Sequence, residues 1–269
     1  MSELACLDGA IAPADETVIP VTDEGLLRGD GAFEVIRVYD GRPFSLAAHL
    51  DRMERSAANL RLEGPFHRER FEAEAAQLLE ARGGRSFDGC LRLLLTRGGR
   101  RLLITERLPS KPEITRLATV VYAPTRVLDG IKSLSYAANM LCGRIARERG
   151  FDEALLVTPH GRVLEAPTSS FFWVDGDGVL CTPPLDDHVL ASITRAQLLE
   201  LLDVEERSVA AEELRRTTLE AFLASTTREV HPVGAIDERE LDAPGEITRA
   251  AAAAFAEYRE ALLRADSPT

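Results

Sequence analysis

Lysine is almost absent from this chain. Of its 32 basic residues only Lys111 and Lys132 are lysines, and the other 30 are arginines. Arginine stays protonated under essentially all conditions, so it serves as a fixed charge but not as an amine nucleophile or a proton shuttle. A lysine kept against that background is a candidate for work arginine cannot do. Basic tracts are missing too. Acidic residues number 44 and the formal net charge is −12, which argues against a nucleic-acid or anionic-membrane binder. No apolar run approaches the roughly 18 residues that span a bilayer. The opening residues, Met1-Ser2-Glu3-Leu4, lack the basic-then-apolar pattern of a signal peptide. The four cysteines, Cys6, Cys90, Cys142 and Cys181, form no CxxC pair. Such scattering suits reduced thiols in a cytoplasm better than a disulfide framework or a zinc site. The five histidines show no metal-ligand spacing, so no metal is expected. No GxGxxG follows a strand, and no Walker-type GxxxxGK, HExxH or GxSxG occurs. Common phosphate loops, zinc hydrolysis and nucleotide-dependent hydride transfer are therefore poorly supported.

What is present describes a soluble enzyme-sized chain. Its 269 residues, 45% hydrophobic, suffice for one large domain or two modest ones. Strand-like stretches are predicted at Val18–Val21, Ala32–Tyr39, Leu91–Thr96, Ala118–Tyr122, Glu153–Thr158, Ser170–Val174 and Val179–Cys181. Helical spacing runs from Ser45 through Leu50, Met53, Ala57 and Leu60, and again over Phe66–Ala81, Leu134–Glu148, Thr194–Leu202, Thr217–Leu223 and Ile247–Arg264. Strands and helices are intermixed, so the fold class is α/β or α+β in two lobes. The expected division is a small N-terminal α/β domain over 1–122, a linker over 123–126 and a larger C-terminal domain over 127–269.

The two lysines differ in setting. Lys111 lies in a Pro-flanked polar loop and reads as a solvated surface residue. Lys132 lies between apolar neighbours in Gly130-Ile131-Lys132-Ser133-Leu134; taken alone, it reads equally well as a snorkelling surface lysine. The segments around it change that balance. Gly29-Asp30-Gly31-Ala32-Phe33-Glu34-Val35 is followed in order by His49-Leu50-Asp51-Arg52-Met53, the Lys132 segment, Gly161-Arg162-Val163-Leu164-Glu165, Ser192-Ile193-Thr194-Arg195 and Ser225-Thr226-Thr227-Arg228. Together they resemble the fold-type IV pyridoxal-phosphate enzymes: D-amino-acid aminotransferases, branched-chain aminotransferases and 4-amino-4-deoxychorismate lyase. The resemblance extends from about Val18 to Asp237.

The resemblance implies a role for each residue. Lys132 aligns with the lysine that forms the Schiff base with pyridoxal phosphate and then moves the proton between Cα and C4′. Glu165 matches the carboxylate that keeps the pyridine nitrogen protonated. Arg52 aligns with a phosphate-binding arginine; on its own it would pair with Asp51 or Glu54 on a helix surface. Ile193 and Thr194 open a helix whose free N–H groups favour an anion, and Ser225 and Thr226 add hydroxyls and amides. Leu190 aligns with an aliphatic residue packed on the cofactor ring. Tyr136 falls where branched-chain enzymes place a tyrosine near the cofactor's phenolic oxygen. Phe33 stands where D-amino-acid aminotransferases carry a tyrosine that helps to hold the substrate carboxylate. Their arginine–x–histidine pair is missing, so Arg100 and Arg101 become the candidates for that carboxylate, together with Arg97.

The expected activity is transfer of an amino group between an amino acid, with D-amino acids favoured, and a 2-oxo acid. A lyase that eliminates pyruvate and a branched-chain L-amino-acid aminotransferase stand as alternatives. The resemblance also implies a homodimer, with the cofactor between the lobes.

Overall fold

The computed structural model describes residues 3–265 and divides into two compact units. One comprises the chain up to Pro109 together with Gly130–Tyr136; the other comprises Ser110–Asp129 and the chain from Ala137 onward. The units are thus interleaved in sequence. The Lys132 segment packs with the first unit, although a single cut at 123–126 groups it with the second.

The first unit is an antiparallel sheet covered by two helices. Its strands are β1 (Leu4–Leu7), β2 (Ala10–Pro13), β3 (Gly31–Tyr39), β4 (Arg42–Pro43), β5 (Gly89–Thr96) and β6 (Arg101–Glu106), ordered β2-β1-β6-β5-β3-β4. A short helix α1 (Glu24–Arg28) precedes β3, while α2 (Leu46–Asn59) and α3 (Arg68–Arg82) pack on the sheet. α2 buries His49, Leu50, Arg52, Met53, Ser56 and Ala57. That spacing is the inward stripe of a 3.6-residue period. Leu50 and Met53 join Ile36, Val38, Phe71, Leu78, Leu91, Leu93 and Leu103 in one core. The strand expected over Val18–Val21 does not form. Pro20 has no N–H to give a ladder, and Val18 and Val21 are 78% and 75% exposed.

The second unit is a mixed eight-stranded sheet. It contains β7 (Thr115–Val121), β8 (Glu153–Val157), β9 (Ser170–Val174), β10 (Leu180–Thr182), β11 (Glu205–Glu206), β12 (Glu220–Ser225), β13 (Glu229–Ile236) and β14 (Arg239–Glu240). The order is β11-β10-β9-β12-β13-β7-β8, with β14 beside β13. Its helices are α4 (Ala137–Glu148), α5 (Ile193–Leu201), α6 (Ala211–Thr217) and α7 (Glu246–Ala265). Leu117, Leu155, Phe171, Trp173, Leu223 and Val233 belong to one core, and Ala118, Val120, Leu156 and Leu164 to another. Neighbouring residues of one strand thus serve different cores, which is why these strands read as unbroken apolar runs.

Two sequence expectations shift here. The helix expected over Thr217–Leu223 is instead the end of α6 followed by β12, a central strand whose first five residues are all buried. A short apolar run has no period to distinguish the two, and flanking partners on both sides decided it. The helix expected from Leu134 begins only at Ala137, because the preceding residues pair with β3.

His231 on β13 is buried, and its Nε2 lies 2.8 Å from Thr115 Oγ1. Burial, reinforced by the charges of Lys111 and Arg228, lowers its pKa from 6.5 to about 4. A group whose folded pKa lies below its unfolded value leaves stability intact above pH 6.5 and removes it as pH falls towards 4. The expected loss is about 3 kcal/mol over that window. Denaturant titrations at pH 7 and pH 4.5 should show a smaller loss in His231→Gln than in the parent. An equal loss in both would assign the acid sensitivity elsewhere.

Candidate active site

In the first unit the predicted residues converge on the start of β3. The Lys132 segment pairs with that strand: Phe33 N–H donates to the Lys132 carbonyl (3.0 Å) and Leu134 N–H to the Gly31 carbonyl (2.9 Å). Lys132 N–H in turn donates to Ser56 Oγ on α2 (3.1 Å). Both backbone groups of Lys132 are therefore held, and the side chain starts from a fixed base. Gly31 is required at this junction. A Cβ there would lie 2.4 Å from the Leu95 carbonyl oxygen and 2.7 Å from Leu134 Cδ1. The Lys132 Nζ stands 4.5 Å from the centre of the Phe33 ring and 5.6 Å from that of Tyr136. The two rings meet edge to face with centroids 5.2 Å apart. Aromatic rings beside an amine offer flat faces on which a conjugated ligand can pack.

Arg52 does not pair with Asp51 or Glu54, both of which bond Arg68. Its partner is Glu34 on β3, with Nε donating to Oε1 (2.7 Å) and Nη2 to Oε2 (2.6 Å). His49 Nδ1 lies 2.7 Å from the same Oε2. His49 and Arg52 are three residues apart on α2, so one helix face presents both. Glu34 is wholly buried. Burial by itself raises its pKa, but the charge and hydrogen bonds of Arg52, aided by His49, overcome this and hold it at about 2. His49 moves downward, mainly through burial, with the Arg52 and Lys132 charges adding to it. Glu34 and His49 were not singled out from sequence. The available signal was a lone acid inside the apolar run of β3, which calls for a buried cation.

The loop arginines are engaged within the same unit. Arg101 Nη2 lies 2.7 Å from Glu74 Oε1, both side chains being about nine-tenths buried. Arg100 Nε lies 3.1 Å from Asp23 Oδ2, and Arg97 bonds Asp30. A further arginine, not anticipated from sequence, stands nearer to Phe33. Arg92 on β5 has its Cζ 5.8 Å from the Phe33 ring centre, and Glu106 steadies it through bonds of 2.7 and 2.9 Å.

In the second unit Glu165 lies on an extended segment against β8, with Leu156 N–H donating to its carbonyl (2.9 Å). Its Oε1 accepts the backbone N–H of Leu190 (2.9 Å), so two predicted residues are fixed to each other. Ser192 caps α5, its hydroxyl accepting from Arg195 N–H (3.3 Å). Ile193 and Thr194 then form the first turn, where backbone N–H groups have no helical acceptor. α5 packs against β12, whose last residue is Ser225. The Ser225 Oγ is shut off from water and has no hydrogen-bond partner among the described residues; Thr226 follows in the turn. Helix-end amides and an unpaired hydroxyl are a donor set that fits a phosphate. Lys111 lies elsewhere in this unit, exposed, with Nζ donating to the Arg228 carbonyl (3.3 Å).

The mixed α/β fold is shared with the class IV aminotransferases, and the comparisons with known proteins define the class. Residues 31–236 match the model of the family described as amino-transferase class IV, and the chain belongs to that family of pyridoxal-phosphate-dependent aminotransferases. It is 33% identical to a protein of Methanocaldococcus jannaschii assigned provisionally as a branched-chain-amino-acid aminotransferase, over 94% of this chain and 95% of that one. It is 30% identical to the D-alanine aminotransferase of Bacillus licheniformis, over 90% and 92%. A fold IV transaminase of Curtobacterium pusillum superimposes with a TM-score of 0.81 at 31% identity, covering 94% of this chain and 99% of that structure.

Proposed function

We propose that this enzyme takes its amino group from a D-amino acid and passes it to a 2-oxo acid, with Lys132 as the residue that binds the cofactor covalently and moves the α-proton. The observation that carries the role of Lys132 is its mounting: an amine fixed through both its backbone groups, set against Phe33 and Tyr136, in a chain that has only one other lysine. The D-amino-acid donor rests on the likeness of the Gly29–Val35 and Gly130–Leu134 segments to D-amino-acid aminotransferases. When bound, the cofactor supplies an electron sink for the charge left at Cα. Lys132 then carries a proton from Cα to C4′, a transfer that arginine cannot perform. Glu165 serves the pyridine nitrogen as its carboxylate partner, and Leu190, tied to Glu165 through its backbone, packs on the ring. The first turn of α5 at Ile193 and Thr194, with Ser225 and Thr226, takes the phosphate, and Arg52 is proposed as a further cofactor-binding residue. Tyr136 lies beside the amine. We assign the substrate carboxylate first to Arg92, because its guanidinium lies 5.8 Å from the Phe33 ring centre; Arg100, 35% exposed at its side chain, is the second candidate. Phe33 lies against the Arg92 guanidinium and lends no hydroxyl, so the carboxylate hold rests on charge. We further propose that the enzyme works as a homodimer in the cytoplasm.

The test is a single half-reaction. D-Alanine, and separately L-leucine, is added to the holoenzyme without an oxo-acid acceptor while its visible spectrum is followed. Conversion to pyridoxamine phosphate with D-alanine and not with L-leucine is the expected result. The reverse preference would assign the branched-chain L-amino-acid reaction. Pyruvate release from aminodeoxychorismate, with neither amino acid converted, would replace transfer by the lyase reaction.

A further inference from the structure

The second unit holds an open cavity of about 550 Å³ whose lining takes no part in the site proposed above. Three arginines reach it from three elements: Arg149 from the turn after α4, Arg215 from α6 and Arg239 from β14. The arginines of the first unit include close pairs, Arg101 with Glu74 and Arg92 with Glu106, each at 2.7 Å. Here two guanidiniums share one acid at longer range: Asp237 lies 3.5 Å from Arg149 and 3.3 Å from Arg215. That acid is already engaged. Its Oδ1 accepts the Thr119 backbone N–H (2.8 Å) and its Oδ2 the Thr119 hydroxyl (2.7 Å), which ties it to β7. Arg239 donates from Nη2 to the Thr218 carbonyl (2.7 Å), while its Nε is screened from water and has no acceptor among the described residues. Against three arginines the lining offers only Asp237 and Glu238. A surplus of positive charge therefore sits in one cavity of a chain whose net charge is −12.

We propose that this cavity is a binding site for a small tetrahedral oxyanion, either inorganic phosphate or the phosphoryl group of a small metabolite, held by Arg149, Arg215 and Arg239. Guanidinium forks approaching from separate elements match an acceptor with oxygens on several sides. The anion engages the guanidinium donors of Arg149, Arg215 and Arg239 that line the cavity.

The experiment uses holoenzyme saturated with pyridoxal phosphate, so that the donors serving the cofactor are occupied. Inorganic phosphate is titrated by calorimetry at fixed ionic strength, with chloride as the balancing ion. One saturable site per chain is expected. Arg215→Gln and Arg239→Gln should each weaken it at least about tenfold, the loss of one charge-assisted hydrogen bond, with kcat unchanged. The Arg215 side chain is 41% exposed, so Arg215→Gln folds as the parent does. Glycerol 3-phosphate is titrated alongside: tighter binding than phosphate supports a phosphorylated metabolite as ligand, and weaker binding supports the free ion. No saturable binding, or binding undiminished in both variants, overturns the site. Tighter binding of succinate than of either phosphate overturns the tetrahedral assignment.

Discussion

Lys132→Ala should lower kcat by on the order of 10⁴-fold, the scale of losing the positioned acid–base group and covalent link proposed for it. Lys132→Arg does no better. It keeps the positive charge near Phe33 and Tyr136, but its guanidinium does not give up a proton to become a nucleophile. This pair of variants separates charge from chemistry. Folding should be largely spared, because backbone bonds of residues 31–33 and 132–134 and a bond to Ser56 Oγ seat the segment. Each variant should therefore melt close to the parent while losing turnover and the visible band of lysine-bound cofactor. Borohydride reduction followed by peptide mapping should find the phosphopyridoxyl group on Lys132 in the parent alone. Turnover within tenfold of the parent in Lys132→Ala would remove this residue from the reaction.

Glu34→Ala should lower stability by about 3–5 kcal/mol, the usual result of removing one partner of a buried charge pair. In a chain of this size that is a fall in Tm of roughly 6–20 °C. The cause is local. Arg52 keeps its charge inside the first unit with no carboxylate opposite, and His49 loses the acceptor at its Nδ1. Cofactor affinity should fall as well, since Glu34 fixes the direction in which Arg52 points. The pH dependence has a definite sign. The Glu34 carboxyl is held at about 2 in the folded chain, below its ordinary 4.5. A depressed carboxylate stabilises the fold above its unfolded pKa, and that contribution drains away as pH falls from 4.5 towards 2. The gap between parent and Glu34→Ala, measured by denaturant at pH 7 and again at pH 3, should therefore narrow at the lower pH. A gap that stayed constant or widened would mean that the Arg52–Glu34 pair is not what the substitution disrupts.

The cavity lined by Arg149, Arg215 and Arg239 extends the same theme. In a chain that relies on arginine for positive charge, the placement of acids decides what each guanidinium does. Glu34 turns Arg52 into a rigid buried donor, Glu74 immobilises Arg101, and Asp237, bonded to Thr119, leaves Arg215 with donors to spare.

The sequence by itself nominated the residues proposed for the chemistry. Amine chemistry needs lysine, and only two were present, so composition and the ordered segments pointed to Lys132, Arg52, Glu165 and the helix opening at Ile193. It also determined α2, whose apolar residues recur at helical spacing along one buried face; the inward stripe of α3 includes Glu74 and Arg82, so its apolar pattern is weaker. Only the tertiary structure decided which arginine meets which acid. Arg52 has acidic neighbours in sequence at Asp51 and Glu54, yet it turns to Glu34, which lies 18 residues away. Pairing between side chains depends on which faces the packed core brings together, and that information is not local. The same reason explains β12. Its apolar run has no helical or strand period of its own, and it became a strand because β9 and β13 offered ladder partners on both sides. Arg92 and Glu106 belong to this second class too. They lie 14 residues apart and meet only because β5 and β6 pair antiparallel, which sets the guanidinium beside Phe33.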